Sequence, residues 1–201
     1  MISIIDYDAG NIKSVEKAIQ HLGEEAVITR DREQILGSSH IILPGVGAFG
    51  DAMKKLTSYG LDQVIYDAID RQIPFLGICL GLQLLFEESE EAPGVKGLGI
   101  LPGKIVRIPD QPGFKIPHMG WNSLKIKKGS RLFQDIPDHS YVYFVHSYYL
   151  QAKREEDVAA TTEYTTTIHA SVEHDQIFAC QFHPEKSSGV GLKILKNFIS
   201  L

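Results

Sequence analysis

The chain has 201 residues, 43% hydrophobic and 22% charged, with a formal net charge of −5. That length suits one well-buried domain over residues 1–201 and leaves little for a second. The mildly acidic balance, with no basic run, argues against nucleic acid, and no stretch approaches the ~18 apolar residues of a membrane span.

Cys79 and Cys180, the two cysteines, do not resemble a disulfide framework or a Cys-x-x-Cys metal site. The chain enters on Ile2-Ser3-Ile4-Ile5 without a positively charged leader, so a cytoplasmic protein is expected. In chain order, Ile2 to Asp6 predicts a strand and Ile12 to Leu22 an amphipathic helix, with Asn11 placed to cap it. Strands follow over Glu25 to Thr29 and His40 to Leu43, the latter running into a glycine-bearing loop from Pro44 to Gly50. Helices are expected over Ala52 to Leu56 and Leu61 to Arg71, and a further strand over Pro74 to Ile78.

This alternation predicts an α/β fold with an open, mostly parallel twisted sheet and flanking helices. Ligands of such sheets bind in the crevice beyond the carboxyl ends of the strands. Three glycine-bearing loops fall there: Asp8 to Asn11, Pro44 to Gly50, and Gly77 to Gly81. The acidic run from Glu87 to Glu91 reads as a solvated helix exit rather than a metal site.

Beyond it the pattern changes. Lys104 to Ile108, Ser123 to Ile126, Tyr141 to Val145, Val158 to Glu163, Ile168 to Glu173 and Ile177 to Phe182 are short β runs with turns between them. They predict antiparallel strands added to the parallel core in the C-terminal half. Ser187 to Leu201 closes the chain as a helix with Val190, Ile194, Leu195 and Phe198 on one face.

The stretch from Pro74 to Glu87 carries the first chemical signal. An apolar strand ending at Ile78 and an apolar helix over Leu80 to Phe86 are joined through Gly77-Ile78-Cys79-Leu80-Gly81. A lone cysteine on an apolar strand is ordinarily a small core hydrophobe. Flanking glycines and a strand-to-helix corner are what a nucleophile elbow needs and a core cysteine does not. The helix N-terminus behind the sulfur favours its thiolate, the attacking form.

Such a nucleophile needs a base and a group to orient that base. Gln181-Phe182-His183-Pro184-Glu185 supplies both, since a buried strand ends on a histidine and Pro184 stops the ladder. Glu185 then holds the imidazole while its other nitrogen faces Cys79. A zinc site made from His183 and Glu185 lacks further ligands at a usual spacing. Cys180, in Ile177 to Phe182, reads as core.

Together, the cysteine elbow and Phe182-His183-Pro184-Glu185, about a hundred residues apart, resemble the triad-type class I glutamine amidotransferases. Further blocks spanning nearly the whole chain resemble the branch of that family that serves histidine biosynthesis. These are Asp6-Tyr7-Asp8-Ala9-Gly10-Asn11, Pro44-Gly45-Val46-Gly47-Ala48-Phe49, His118-Met119-Gly120-Trp121-Asn122, Tyr143-Phe144-Val145-His146-Ser147-Tyr148 and His183-Pro184-Glu185-Lys186-Ser187.

The resemblance implies hydrolysis of glutamine to glutamate and ammonia through a γ-glutamyl thioester. Ammonia would pass to a (β/α)8-barrel cyclase subunit in a heterodimer, with no metal or cofactor. It assigns Cys79 as nucleophile, His183 as base and Glu185 as its orienter. The backbone at Val46 and Leu80 would form the oxyanion hole, and Gly47, Gln83, Ser147 and Tyr148 would hold glutamine. Asn11, Trp121, Tyr143 and Lys186 would face the partner.

Each of these last four also has a plainer reading. Asn11 reads as a helix cap, Lys186 as solvated, and Tyr143 equally as core or interface. Trp121 weighs a core aromatic against an anchor in a polar loop. Three rival functions share the same residues: a cysteine peptidase with an open cleft, a non-catalytic module of this fold, and a triad glutaminase serving another synthase such as that of pyridoxal phosphate.

Overall fold

Short runs of β-branched and apolar residues make the spine of the molecule, seen here in a computed structural model that describes residues 1–201. The N-terminal part runs β1 (Ile2–Ile5), α1 (Ile12–His21), β2 (Ala26–Thr29), α2 (Arg32–Leu36), β3 (His40–Gly45), α3 (Phe49–Ser58) and α4 (Leu61–Asp70). It ends with β4 (Phe75–Cys79) and α5 (Leu80–Leu84). The remainder is mostly strand: β5 (Glu88–Ser89), β6 (Gly103–Arg107), β7 (His118–Ser123), β8 (Lys125–Ile126), β9 (Tyr141–His146) and β10 (Tyr148–Ala152). Then come β11 (Val158–Glu163), β12 (Thr167–His174), β13 (Ile177–Cys180) and α6 (Ser188–Ile199).

The main sheet has the order β2-β1-β3-β4-β13-β12-β10-β6-β5, with β11 joining β12 to β8. From β2 through β13 every pairing is parallel; β12, β10 and β6 continue it antiparallel. Strand residues alternate between faces, and both faces are covered. Ile2 and Ile4 pack with Val15 and Ile19 of α1 and Ile194 and Phe198 of α6. Ile5 packs on the other side with Ile35, Leu56, Leu61 and Ile65 from α2, α3 and α4. This two-sided cover explains why β4 is buried at every position and reads as a continuous apolar run. At its carboxyl end stands Cys79.

Several boundaries differ from expectation for physical reasons. The unanticipated α2 is a single short helix whose cap is nonetheless written in the sequence: the Asp31 carboxylate accepts the Gln34 N–H at 2.8 Å. The start of α3 lies at Phe49, ahead of Ala52, because the Glu91 carboxylate, distant in sequence, accepts the Phe49 N–H at 2.8 Å. The apolar run after Cys79 stays helical only to Leu84. Trp121 lies on β7, which pairs antiparallel with β9 in a separate two-stranded ribbon, and not in a polar loop. Gly120 and Asn122, weak strand formers, hide β7 in the sequence.

Candidate active site

The corner after β4 is dictated by close packing of glycine backbones. A Cβ on Gly77 would sit 2.7 Å from the Gly81 carbonyl oxygen, and one on Gly81 would sit 1.9 Å from that of Leu43. Cys79 between them adopts φ 55° and ψ −108°, a strained conformation for a residue with a side chain. Packing on all sides holds it, so the sulfur emerges at the strand end while the residue is only 7% exposed.

The second half of the site comes from the neighbouring strand. After β13 the chain leaves through Gln181 and Phe182 to His183, then makes a single 3-10 turn over Pro184–Lys186. The turn is pinned by His183 N–H to the Tyr143 carbonyl at 2.9 Å and Ser187 Oγ to the His183 carbonyl at 2.6 Å. His183 Nδ1 lies 2.8 Å from Glu185 Oε1. A carboxylate accepts, so Nδ1 carries the proton there and Nε2 is left for the sulfur. Nε2 is buried with no hydrogen-bond partner, and the resting sulfur does not meet hydrogen-bond geometry with it. Burial alone would lower the imidazole pKa, but hydrogen bonding and charge from Cys79 and Glu185 outweigh it and raise the pKa to about 9. The ring is therefore protonated at neutral pH.

Glu185 has a further partner. Asn11 Nδ2 donates to the same Oε1 at 2.8 Å. Asn11 does occupy the residue before α1, in the left-handed region with φ 64°, but its side chain makes no cap bond to the helix. The sequence-based cap thus gives way to a long-range bond to the triad carboxylate.

Cys79 and His183 open into a cavity of about 410 Å³. Val46, Gly47, Leu80, Gln83, Ser147 and Tyr148 line it as expected, together with Glu91, Pro117, Val145 and His146, which the sequence did not single out. Glu91 corrects the reading of the acidic run as a solvated exit. Its carboxylate reaches back to the start of α3 and borders the cavity. No local pattern distinguishes it from Glu87, Glu88 or Glu90. His146 Nδ1 donates to the Tyr148 carbonyl at 2.9 Å, and His118 Nδ1 stands 3.0 Å from His146 Nε2. Burial pushes His146 down to about 3 and His118 to about 4, so both rings are neutral.

Tyr7 is buried beneath the loop at Val46, where its hydroxyl donates to the Pro44 carbonyl at 2.8 Å. A Cβ on Gly45 would sit 2.4 Å from that hydroxyl, so the loop backbone passes as close as glycine allows.

The four residues expected at a partner face surround the triad turn. Trp121 is 51% exposed and stands opposite Tyr143 in the β7–β9 ribbon, their rings 6.1 Å apart. Tyr143 is half-buried, and its backbone bonds both His183 and Ser187. Lys186 is exposed beside Glu185. Met119, 63% exposed, extends the apolar surface next to Trp121.

Comparison with known proteins places this geometry. Residues 3–201 match the family described as glutamine amidotransferase class-I. The imidazole glycerol phosphate synthase subunit HisH of Methanocaldococcus jannaschii is 50% identical over 201 residues, all of both chains. Its counterpart from Caldanaerobacter subterraneus subsp. tengcongensis is 51% identical over 198 residues, 98% of this chain and 97% of the other. Among solved structures, a glutamine amidotransferase superposes with a TM-score of 0.76 at 19% identity, covering 99% of this chain and 97% of that one. PurLQS from Thermotoga maritima superposes at 0.75 with 18% identity over 99% and 97% of the two chains.

Proposed function

Because the chain belongs to the class-I glutamine amidotransferases, we propose that it is the glutamine-hydrolysing subunit of an imidazole glycerol phosphate synthase, acting in histidine biosynthesis. The observation that carries the reading is the convergence of Cys79, His183 and Glu185 at one end of a small polar cavity. A free amino acid needs an anion for its ammonium group, and Glu91 supplies one on the cavity wall. Gly47, Gln83, Ser147 and Tyr148 complete the pocket, whose size suits one amino acid better than a peptide.

The reaction follows from these positions. The Cys79 thiolate attacks the side-chain carbonyl carbon of glutamine, and the oxygen becomes an oxyanion facing the backbone N–H groups at Val46 and Leu80. Protonated His183 gives its proton to the amide nitrogen, the C–N bond breaks, and ammonia leaves with a γ-glutamyl thioester on the sulfur. His183 then takes a proton from water, the hydroxide adds to the thioester, and the C–S bond breaks to return glutamate and the thiolate. Glu185, steadied by Asn11, holds Nδ1 throughout.

Ammonia passes to a cyclase subunit with a (β/α)8-barrel fold, docked on the face bearing Asn11, Trp121, Tyr143 and Lys186. The whole of residues 1–201 acts as one glutaminase domain, supported by the continuous main sheet and the family match over residues 3–201. No helix is long and apolar enough to cross a membrane, and both cysteines are free thiols, which supports work in the reducing cytoplasm.

Glutamate and ammonia release, measured for the chain alone and with its cyclase subunit, tests the proposal. Hydrolysis that rises in the complex, with ammonia consumed by the cyclase, is expected. Absence of glutamine turnover in the complex would refute it.

A further inference from the structure

One buried amide beside the nucleophile has no role in the triad. Gln181 is fully buried, and its Nε2 lies 3.7 Å from Cys79 Sγ, an N–H···S contact. Its Oε1 lies 3.0 Å from Gln83 Nε2, which also lies 3.1 Å from the Tyr148 carbonyl.

Side-chain amides can be turned end for end, so the direction of such a chain has to be fixed by a group with only one role. The Tyr148 backbone carbonyl is that group, because it can only accept. Gln83 must therefore present its NH₂ to Tyr148. The second hydrogen of that NH₂ then meets Gln181, which must present its oxygen. With its oxygen committed, Gln181 has only its NH₂ left for the sulfur.

We propose that Gln181 is a catalytic residue that donates an N–H to Cys79 Sγ, in an orientation set by Gln83 and the Tyr148 carbonyl. The inference rests on the glutaminase reading and adds a group to that site. A hydrogen bond to an ionised acceptor is roughly twice as strong as one to a neutral acceptor. The N–H therefore favours the thiolate over the thioester sulfur, which carries no charge. When water has added to the γ-glutamyl thioester, the C–S bond breaks and its electron pair returns to sulfur. At that moment the N–H of Gln181 receives the developing charge. In acylation the same bond is weakened as sulfur loses its charge, so its loss hinders thioester breakdown more than thioester formation.

The test is Gln181→Met, close in length and without a donor, with Gln181→Glu as a second near-isosteric variant that keeps an oxygen for Gln83 but turns an acceptor toward the sulfur. Both are assayed with the cyclase subunit alongside the unaltered protein. Steady-state glutamate release is expected to fall ~10-fold or more. Ammonia should appear in a burst of about one equivalent ahead of glutamate, and acid-quenched protein should carry the mass of a γ-glutamyl adduct on Cys79. Labelling of Cys79 by an electrophilic glutamine analogue, which needs no departure of sulfur, should persist within a few-fold and shows that the pocket is folded.

Unchanged glutamate release in either folded variant would overturn the role of Gln181. So would a loss without burst or adduct, since that marks a merely structural residue. If the unaltered protein itself neither labels nor hydrolyses glutamine, the glutaminase reading fails and the inference falls with it.

Discussion

Two cysteines lie one ladder step apart in adjacent strands and have opposite fates. Cys180 pairs in register with Ile78, the residue before Cys79. It sits inside β13, fully buried, and its thiol donates to the Phe182 carbonyl at 3.5 Å. Burial, followed by the charges of Glu185 and Cys79, pushes its thiol well above the usual range. Cys79 sits where β4 ends, in a strained conformation that turns the sulfur into a cavity beside His183. Residue type and burial are nearly the same at the two positions. Position on the strand decides: a body residue points its side chain into packing, whereas a corner residue is turned out of the sheet by the glycines around it. The same strand that buries Cys180 then delivers Gln181 and His183 to Cys79, so β13 serves as the inert neighbour and the source of the base.

Exchanging the two thiols is the severest way to break this contrast. Cys79→Ala should lower glutamine hydrolysis by at least ~10³-fold, since no covalent intermediate can form. The fold and the partner face should be retained, because the corner depends on glycines. Cys180→Ala should leave kcat within a few-fold. An electrophilic glutamine analogue should label Cys79 and spare Cys180, and mass mapping that finds Cys180 modified first would sink the assignment.

Next comes the corner itself. A Cβ on Gly81 would overlap the Leu43 carbonyl oxygen at 1.9 Å, a backbone group that cannot swing aside. Gly81→Val should therefore cost several kcal/mol, from overpacking and backbone strain of ~1–3 kcal/mol each. Thermal unfolding measures it; an unchanged melting temperature with full activity would mean that the corner is not what presents the sulfur.

The local half of this machinery was legible in the sequence, and the long-range half was not. Gly77, Cys79, Gly81, His183 and Glu185 announce themselves because an elbow and a strand-end histidine are short patterns with a physical reason for each residue. The parallel core was readable for a similar cause: strands covered on both faces are continuous apolar runs. Glu91 was unreadable because its task is to reach Phe49 across a turn of the fold, and Asn11 because a residue shaped like a cap instead bonds a carboxylate far along the chain. The chain from Tyr148 through Gln83 and Gln181 to Cys79 is likewise assembled from separate elements. Only the side chains' meeting in space assigns them.

Titration sharpens the contrast between the two thiols. His183 has a folded pKa of about 9 against an ordinary value of 6.5. Its protonated form thus stabilises the fold fully below pH ~6.5, and that contribution is lost as pH rises toward about 9. The limit for such a shift is ~3 kcal/mol. Cys79 is one of the groups holding the proton, so Cys79→Ala should flatten the decline in stability between pH 6.5 and 9. Cys180→Ala should leave it unchanged. Chemical denaturation across that range distinguishes them, and equal slopes in the two variants would remove Cys79 from the charge balance of His183.

The smallest expected effect concerns the other non-glycine residue held at positive φ beside the triad. Packing maintains the strain at Cys79, whereas at Asn11, with φ 64°, the residue type itself tolerates the left-handed region. Replacing Asn11 by Ala would therefore mix two losses: ~1 kcal/mol of backbone preference and the amide's bond to Glu185. Asn11→Gly separates them, since glycine adopts the conformation freely while deleting the amide. If the amide steadies Glu185, and through it the Nδ1 bond that aims His183 at the sulfur, Asn11→Gly should lower kcat several-fold with little change in KM. Asn11→Ala should match that kcat and lose further stability. Steady-state kinetics paired with melting temperatures reads both quantities. Wild-type kcat in Asn11→Gly would show that Glu185 needs only His183 to hold its place, and that the strained corner at Cys79 alone sets the geometry of attack.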